Sequence, residues 1–271
     1  MENVIMTNIS ADPNLIEFFR NDLGDLHSFV ASKIYPYVAE VPLDQVKKLF
    51  PKERQNAKAG GFCFLFGGTG YTAALNLNIS RKEGEELEKT YFEAFPSLKY
   101  HFDKVEKEAL EKGYILIDNT NGSKWFIDNY EEFKKVHDVV TNLPSSYWEK
   151  YREEKGKNSS WYQEQKENIS KYYSRKGQIR RNAINAPVQG SSATITKKAV
   201  LNMYNYILEN NLFNKVLIVN VIHDEILLEC PKELANNIAQ VLKQCMEDAS
   251  KEHCTIVPLK AEPIIVDWWQ H

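Results

Sequence analysis

The sequence predicts an α+β fold, and the clearest evidence lies in its second half. Apolar residues recur at spacings near four over residues 191–210, which is the pattern of one buried helix face. Two continuous apolar runs, 216–222 and 226–228, are typical of buried strands. Only three residues separate the two runs, so we expect a tight antiparallel hairpin.

Helix-breaking residues and apolar runs predict the elements around this hairpin. Pro187 and Gly190 are expected to break regular structure just before the helix that precedes the hairpin. Pro231 is expected to begin a second helix, because proline is favoured in the first turn. Short apolar runs at 256–259 and 264–266 predict closing strands. The second half is therefore a helix, a hairpin, a helix and strands, arranged in layers.

The first half is predicted to be helical. Asp12 followed by Pro13 begins a short helix, and Ser80 with Glu83 forms the pattern of a capping box. Gly113 ends the last helix of this half. Helices are expected over residues 15–19, 25–35, 43–50, 53–65, 80–95 and 96–112.

Residues 119–178 differ from the rest of the chain, because they are rich in Lys, Glu, Tyr and Trp but have little apolar periodicity. One interpretation is a solvated, partly helical insertion. The other is a basic and aromatic surface that contacts nucleic acid, since such surfaces combine cations for phosphates with rings for stacking.

Composition excludes several classes of protein. The chain has 271 residues with 34 Lys+Arg against 37 Asp+Glu, and 43% of its residues are hydrophobic, which argues against disorder. No apolar run reaches the ~20 residues of a membrane span, and the first residues do not resemble a secretory signal. Four widely spaced cysteines argue against a disulfide framework or a zinc site. We expect a soluble protein of the reducing cytoplasm.

Two adjacent carboxylates, Asp224 and Glu225, follow His223 between the two predicted strands. Side chains at a hairpin tip leave the core and stay ionised. Hard oxygen ligands at a strand end suit Mg²⁺, which takes one or two protein carboxylates and completes its shell with water and phosphate oxygens. An ordinary polar turn is the alternative interpretation.

Four residues spaced four apart, Arg54, Lys58, Phe62 and Phe66, share one broad face of a predicted helix. This face offers two cations followed by two aromatic rings, which suits a triphosphate with a stacked base. The alternative is an ordinary amphipathic helix. The nearby glycine-rich run 67–70 lacks the Lys-Ser/Thr of a phosphate-binding loop.

A third group, Arg181, Asn185 and Gln189, lies just before the predicted helix over 191–210. The amide side chains can both donate and accept hydrogen bonds, which is the chemistry needed at the minor-groove edge of a base pair. A helix-capping loop is the alternative interpretation.

Together and in this order, these segments resemble the C-terminal part of family A DNA polymerases, the bacterial DNA polymerase I group and its phage relatives. Residues 54–67 resemble the fingers helix that binds the incoming nucleotide, and 181–190 resemble the stretch that contacts primer–template. Residues 221–225 resemble the palm motif with a catalytic aspartate. Shorter matches occur at 9–15, 25–27, 91–96 and 267–268.

The resemblance implies an architecture, namely a polymerase palm with an antiparallel sheet and a large, mostly helical fingers region. Residues 1–25 would form a palm segment that lacks its N-terminal part. Residues 26–178 would form the fingers, with an insertion at about 119–178, and residues 179–271 would complete the palm.

The resemblance also implies roles for individual residues in nucleotidyl transfer from dNTP to a primer 3′ end. The metal ligands, for two Mg²⁺ ions in the complete site, would be Asp224 and Glu225, which with Lys58 form the catalytic set. The nucleotide-binding residues would be Arg54, Lys58, Phe62, Phe66, His27 and Glu2, the last screening out the ribose 2′-hydroxyl. The residues facing primer–template DNA would be Arg181, Asn185, Gln189 and His223.

The sequence departs from the family at its start. The family's first catalytic motif, an Asp-Tyr-Ser-Gln-like run, would lie immediately before Glu2, whereas this chain begins at Met1. Asp224 and Glu225 alone cannot position two metal ions, so we expect the isolated chain not to polymerise DNA at a useful rate. A partner polypeptide or a missing N-terminal region would then carry the first aspartate, the thumb and the early palm.

The missing motif is compatible with more than one kind of chain. The chain is either one piece of a split polymerase, a truncated gene product, or a remnant that binds primer–template without catalysis. A metal phosphohydrolase using His223 and Asp224 is a more distant alternative. Phe66 stands where the family usually has tyrosine, and Val221 stands where it often has glutamine.

Overall fold

The fold comes from a computed structural model that describes residues 1–268. The first helices are α1 (Glu2–Ser10), α2 (Pro13–Arg20), α3 (Leu26–Ile34), α4 (Leu43–Leu49), α5 (Pro51–Leu65), α6 (Gly70–Leu77), α7 (Arg81–Ala94) and α8 (Pro96–Lys112). They are followed by β1 (Tyr114–Asp118), β2 (Ser123–Phe126), α9 (Tyr130–Thr141), α10 (Ser145–Lys157), α11 (Ser160–Glu209), β3 (Leu217–Ile222), β4 (Glu225–Glu229) and α12 (Lys232–Ser250). The predicted α+β class is confirmed. Across residues 1–268, every helix is too short or too polar to cross a lipid bilayer.

The helices of the first half begin where their capping residues predict. The Asp12 carboxylate accepts two backbone N–H groups in the first turn of α2. Ser80 and Glu83 form a reciprocal capping box at the start of α7. Gly113 ends α8 with a φ of 74°, a left-handed conformation that glycine adopts without a side-chain clash. Local sequence chemistry therefore determines these boundaries.

The main core joins the first seven helices to α8 and α11. Its largest fully buried side chains include Phe64, Phe95 and Phe102, each 0% exposed. The Phe64 ring lies 5.2 Å from the ring of Tyr91, centroid to centroid, so α5 and α7 pack through aromatic contacts. Gly60 permits this close approach, because a Cβ there would lie 2.8 Å from Leu87 Cδ2.

Helix α11 has 50 residues and contradicts the predicted break at Pro187 and Gly190. A proline inside a helix costs about 3 kcal/mol or more through its lost hydrogen bond and ring clash. Here Pro187 is buried, and the neighbouring Ile184 and Val188 are 0% and 1% exposed within the main core. Packing on both sides offsets the local penalty. Gly190 lies against β1, because a Cβ there would clash with Ile117 Cγ2.

Residues 119–178 are mostly helical and contribute Phe133 and Tyr172 to a small second core that they share with α8, β1 and the middle of α11. Strands β1 and β2 form an antiparallel hairpin with an irregularity between Leu116 and Asp118. Helix α10 buries no residue and packs on the start of α11 through aromatic rings, including Tyr151 on Tyr162 at 5.1 Å between centroids. The buried residues of the small core are Ala109, Ile115, Phe133, Tyr172, Ile179, Ala183 and Ala186.

The predicted hairpin after α11 is confirmed. Strands β3 and β4 pair antiparallel, with Ile222 opposite Glu225, so only His223 and Asp224 lie in the turn. His223 has a φ of 54°, in the left-handed region that a two-residue hairpin turn requires of at least one residue. The helix expected after Pro231 is α12, which packs against α11.

The closing strands predicted at 256–259 and 264–266 are wrong, because both segments are irregular. The Asn8 side chain takes the place of a strand partner: its Oδ1 accepts the N–H groups of Ile256 and Val257, at 2.8 and 3.1 Å, and its Nδ2 donates to the Val257 carbonyl. Backbone groups that are satisfied in this way gain nothing from a sheet. Apolar composition alone cannot separate such a segment from a strand.

Candidate active site

Helices α3 and α5 bring cationic side chains together. Arg54 is held by Asp25, with Nε 2.6 Å from Oδ2 and Nη2 2.9 Å from Oδ1. A contact through two parallel hydrogen bonds fixes the plane of the guanidinium group. Asp25 also accepts the backbone N–H of Ser28 at 3.0 Å and so caps α3. The residue that begins α3 therefore determines where Arg54 lies.

His27 belongs to the same cluster. Burial lowers the pKa of His27, and the nearby cations Arg54 and Lys58 lower it further, against the opposing effect of Asp25. Burial alone would raise the pKa of Asp25, but hydrogen bonds from Arg54 and Ser28 outweigh this effect and hold it well below its usual range. In residues 1–268, Lys58 makes no ion pair. The cluster thus combines the oriented guanidinium of Arg54, the ammonium of Lys58, which has no carboxylate partner within residues 1–268, and the imidazole of His27, whose lowered pKa favours the neutral form.

The aromatic end of α5 meets α11. The rings of Phe62 and Phe66 lie 4.6 Å apart between centroids, and Phe62 is 63% exposed. Gly67 ends this helix with a φ of 77°, and a Cβ there would lie 2.9 Å from Ile184 Cδ1. Asn185 Nδ2 donates to the Phe66 carbonyl at 3.0 Å, while its buried Oδ1 has no donor among the described residues. Two of the predicted motifs are therefore in direct contact.

The carboxylate at the hairpin tip lies beside the start of the chain. The Asp224 side chain is 49% exposed, and its Oδ2 lies 3.4 Å from the amino group of Met1, whose side chain is 4% exposed. Met1 Sδ in turn contacts Ser192 Oγ of α11 at 3.2 Å. The neighbouring tip residues His223 and Glu225 are both exposed. Any residue before Met1 would begin next to Asp224.

Helix α11 contacts both the end of α5 and the start of the chain beside Asp224. Arg181, Asn185 and Gln189 follow one another at four-residue steps, and the first and last of them are exposed. The end of α5 contacts α11 at Asn185, and the start of the chain contacts it at Ser192. Seven residues of helix correspond to about 10 Å. That the cationic cluster and Asp224 face each other across a space for a bound triphosphate stays a prediction.

The carboxylates at the tip suit a magnesium ion only as part of a larger set of ligands. Exposed carboxylate oxygens such as those of Asp224 are ligands that Mg²⁺ favours. Glu225 follows directly, and Glu2 adjoins the Met1 residue that contacts Asp224. Across residues 1–268, no group of three or more His, Cys, Asp or Glu side chains is arranged to hold a metal ion.

Sequence reasoning missed two features of this site. It identified Asp25 as the beginning of a helix and as part of a short family match at 25–27, but not as the partner of Arg54 across 29 residues of sequence. It also missed the contact between Met1 and Asp224. Neither has a local signal, because both are long-range contacts that depend on how the helices pack.

The whole chain, residues 1–271, matches the sequence model of DNA polymerase family A. The chain therefore belongs to this family. It is 31% identical over 258 residues to DNA polymerase I of Bacillus caldotenax, an alignment that covers 95% of this chain and 23% of the relative. DNA polymerase I of Bacillus subtilis is 29% identical over 258 residues, with the same coverage of 95% and 23%. The chain thus spans less than a quarter of the length of these relatives.

A solved structure agrees with this assignment. The chain is similar to the POL domain of Pol1 from M. smegmatis, whose structure was determined in complex with DNA primer–template and dNTP. The TM-score is 0.70 at 26% sequence identity, and the match covers 96% of this chain and 36% of the other. The similarity therefore extends over nearly all of this chain but only about a third of that polymerase domain.

Proposed function

We propose that this chain is the C-terminal fingers and palm portion of a DNA-directed DNA polymerase that adds nucleotides from dNTP to a primer 3′ end. In this assignment residues 1–25 and 179–271 belong to the palm, and residues 26–178 belong to the fingers. The observation that carries the proposal is the convergence on α11 of the end of α5, at Asn185, and of the chain start beside Asp224. The solved relative bound to primer–template and dNTP supports both substrates.

The cationic cluster would bind the triphosphate. Arg54 uses two of its five N–H donors on Asp25 and keeps three for phosphate oxygens. Lys58, which has no carboxylate partner in the described chain, would neutralise the negative charge of the leaving pyrophosphate, and His27 would add a hydrogen bond. Because Asp25 already orients the guanidinium, little reorganisation would accompany binding.

The remaining site residues would hold the base, the sugar and the DNA. Phe62 and Phe66 would pack near the base and sugar, and Glu2 would lie near the sugar 2′ position. Asn185 holds the end of α5 through its Nδ2, which donates to the Phe66 carbonyl. Side chains facing primer or template would be Arg181, Asn185, Gln189 and His223.

Asp224 and Glu225 would be metal ligands. Two Mg²⁺ ions, when bound, would stabilise the attacking 3′-oxygen and the leaving pyrophosphate. The first catalytic aspartate would come from the polypeptide that precedes Met1, either as a separate chain or as an N-terminal region of the same chain. Asp224 lies 3.4 Å from the amino group of Met1, so this preceding segment would enter the site directly beside it.

The edge of β3 supports a missing palm segment. Among the described residues, β3 pairs only with β4. Its side chains Leu217, Val219 and Val221 are 50%, 58% and 40% exposed. An apolar strand with one unpaired edge is a surface that proteins normally cover. We expect the polypeptide before Met1 to supply this cover.

Primer extension with Mg²⁺ tests the proposal. The chain is assayed alone and together with the polypeptide encoded immediately upstream, or with the in-frame upstream extension. Activity should appear only with the added polypeptide and should be lost in Asp224→Ala. DNA binding without extension in every combination would instead favour a non-catalytic primer–template module. Template-independent nucleotide hydrolysis would favour a phosphohydrolase.

A further inference from the structure

His27 lies in the first turn of α3, among charged groups that disfavour a proton on its imidazole. Within residues 1–268, three charged groups act on this ring, namely Asp25 from the start of α3, and Arg54 and Lys58 from α5. Asp25 is the single carboxylate of this set, and both of its oxygens already accept hydrogen bonds from Arg54, at 2.6 and 2.9 Å. The charge that faces the imidazole is therefore positive overall.

The helix and its packing act in the same direction. The first turn of a helix carries a partial positive charge, which opposes a cation there and favours an anion. Burial is the largest cause that lowers the pKa of His27, and the cations Arg54 and Lys58 lower it further. At neutral pH, the nucleotide-free chain therefore holds this imidazole mainly in its neutral form.

The cluster is open to a ligand from solution. Lys58 is exposed, and His27 and Arg54 are partly exposed. In the proposed function the triphosphate binds here, and even with Mg²⁺ bound the triphosphate is a net anion. Its charge outweighs the positive charge that otherwise faces the ring. Because an opposite charge a few ångströms away favours the charged form of a side chain, the bound triphosphate favours the imidazolium.

We propose that His27 takes up a proton when the triphosphate binds, so that three cations hold the nucleotide and the nucleotide affinity falls as the pH rises. This inference rests on the proposed function and adds the regulation of its nucleotide site by pH. The proton comes from the solvent and binds to the unprotonated ring nitrogen of the neutral imidazole. It returns to the solvent when the nucleotide or the pyrophosphate leaves, and no covalent bond of the nucleotide changes in this step.

The direction of the pH effect follows from the protonation state of His27 with and without nucleotide. Below the lowered pKa of the nucleotide-free chain, the imidazole is protonated in both states, and the nucleotide affinity is highest. Above the raised pKa of the complex, the imidazole is neutral in both states, and the additional affinity is lost. The affinity therefore declines between these two pKa values, and each unit between them corresponds to about a tenfold change.

NMR on residues 1–271 with isotope-labelled histidine rings tests the proton uptake directly. The signal that disappears in His27→Gln identifies His27. With saturating dATP and Mg²⁺, its titration midpoint should rise by about one pH unit or more. Inorganic tripolyphosphate should have the same effect, whereas deoxyadenosine, which lacks phosphate, should leave the midpoint unchanged. In the nucleotide-free chain, Lys58→Gln should also raise the midpoint, because it removes a cation that acts on the ring.

Isothermal titration of dATP between about pH 6 and about pH 8 measures the consequence for affinity. Excess Mg²⁺ keeps the γ-phosphate ionised over this range, so the nucleotide itself contributes little to the pH dependence. The wild type should lose about tenfold or more in affinity over this range, and His27→Gln should lose less than about threefold. The matched control is His137→Gln, which replaces a partly exposed histidine of α9 and should behave like the wild type. Circular dichroism checks that both variants keep the fold.

The possible results separate this inference from the proposed function. An unchanged His27 midpoint on dATP binding, or an equal pH dependence in the wild type and His27→Gln, overturns the inference and leaves the proposed nucleotide site in place. The absence of dATP binding at every pH contradicts the proposed nucleotide site and this inference with it. A raised midpoint in a chain that fails to extend a primer with the upstream polypeptide refutes only the proposed polymerase activity.

Discussion

The proposed fingers and the proposed palm use their apolar residues differently. In the fingers, Phe64, Phe95 and Phe102 are fully buried, and even the aromatic-rich residues 119–178 contribute to a small core. In the palm, β3 exposes apolar side chains, and the amino group of Met1 lies 3.4 Å from the Asp224 carboxylate. The proposed fingers therefore have an aromatic core within this chain, whereas β3 of the proposed palm keeps an apolar face exposed.

The largest effect is expected from the fingers core. Phe64→Ala removes a ring that is 0% exposed and contacts Tyr91 and Phe92, so the free energy of unfolding should fall by about 3–5 kcal/mol. Phe62→Ala on the same helix is the matched control and should change it by less than about 1 kcal/mol, since that ring is 63% exposed. Urea unfolding followed by circular dichroism measures both.

The palm counterpart of this experiment is Val219→Thr. Val219 is 58% exposed on β3, so its substitution should change the stability of residues 1–271 by less than about 0.5 kcal/mol. A large loss would mean that β3 is already covered in solution, and the contrast between the two regions would be wrong.

A buried hydrogen bond joins the two regions and gives the next largest effect. Asp118 of β1 and His253, which follows α12, are 1% and 5% exposed, with His253 Nε2 3.1 Å from Asp118 Oδ1. Asp118 also accepts the backbone N–H and the hydroxyl of Thr120 at 2.8 and 2.7 Å. Asp118→Ala would leave His253 buried without this partner and should cost about 3 kcal/mol.

The control for this pair is Asp128→Ala, which removes an exposed carboxylate from the loop after β2 and should change stability by less than about 0.5 kcal/mol. Hydrogen exchange adds a local measurement. Amides of β1 and β2 should exchange faster in Asp118→Ala than in the control. If protection is equal in both variants, Asp118 does not anchor the hairpin to the palm.

Sequence alone predicted the features that depend on neighbouring residues. The capping residues Asp12 and Ser80 and the turn at His223 all determine local structure within four residues. The prediction failed where distant groups compete, as at Pro187, where buried neighbours on α11 offset a local penalty. It failed again at 256–259, where the side chain of Asn8 replaces a strand partner.

The candidate site shows the same division between features set by neighbouring residues and features set by long-range contacts. Helical spacing placed Arg54, Lys58 and Phe62 on one helix, and α5 has these residues. The contact of Asn185 with the end of that helix required the tertiary fold, as did the pairing of Arg54 with Asp25. The chemistry inferred from residue types stays a prediction, and packing determined which of these groups meet.

Lowering the pH tests the Arg54–Asp25 ion pair, and we expect a smaller effect on the free energy of unfolding. In the folded chain, the pKa of Asp25 is held below the value near 4 that it has when unfolded. Asp25 therefore stabilises the fold fully above about pH 4, and this stabilisation declines as the pH falls below about 4. The contribution is on the order of 1 kcal/mol, because the carboxylate is 36% exposed and solvent screens the pair. Urea unfolding from pH 6 to lower values should show a shallower decline for Asp25→Asn than for the wild type.

The smallest effects come from one substitution made at two glycines. Gly156→Ala in α10 meets no atom within 4 Å, so alanine should stabilise the chain by about 0.5–1 kcal/mol through helix propensity. Gly190→Ala in α11 should instead destabilise it, because the new Cβ would lie 2.5 Å from the Ile117 carbonyl oxygen and would push β1 away. Thermal unfolding of the two variants should thus shift in opposite directions. Stabilisation by both would mean that β1 does not rest on α11.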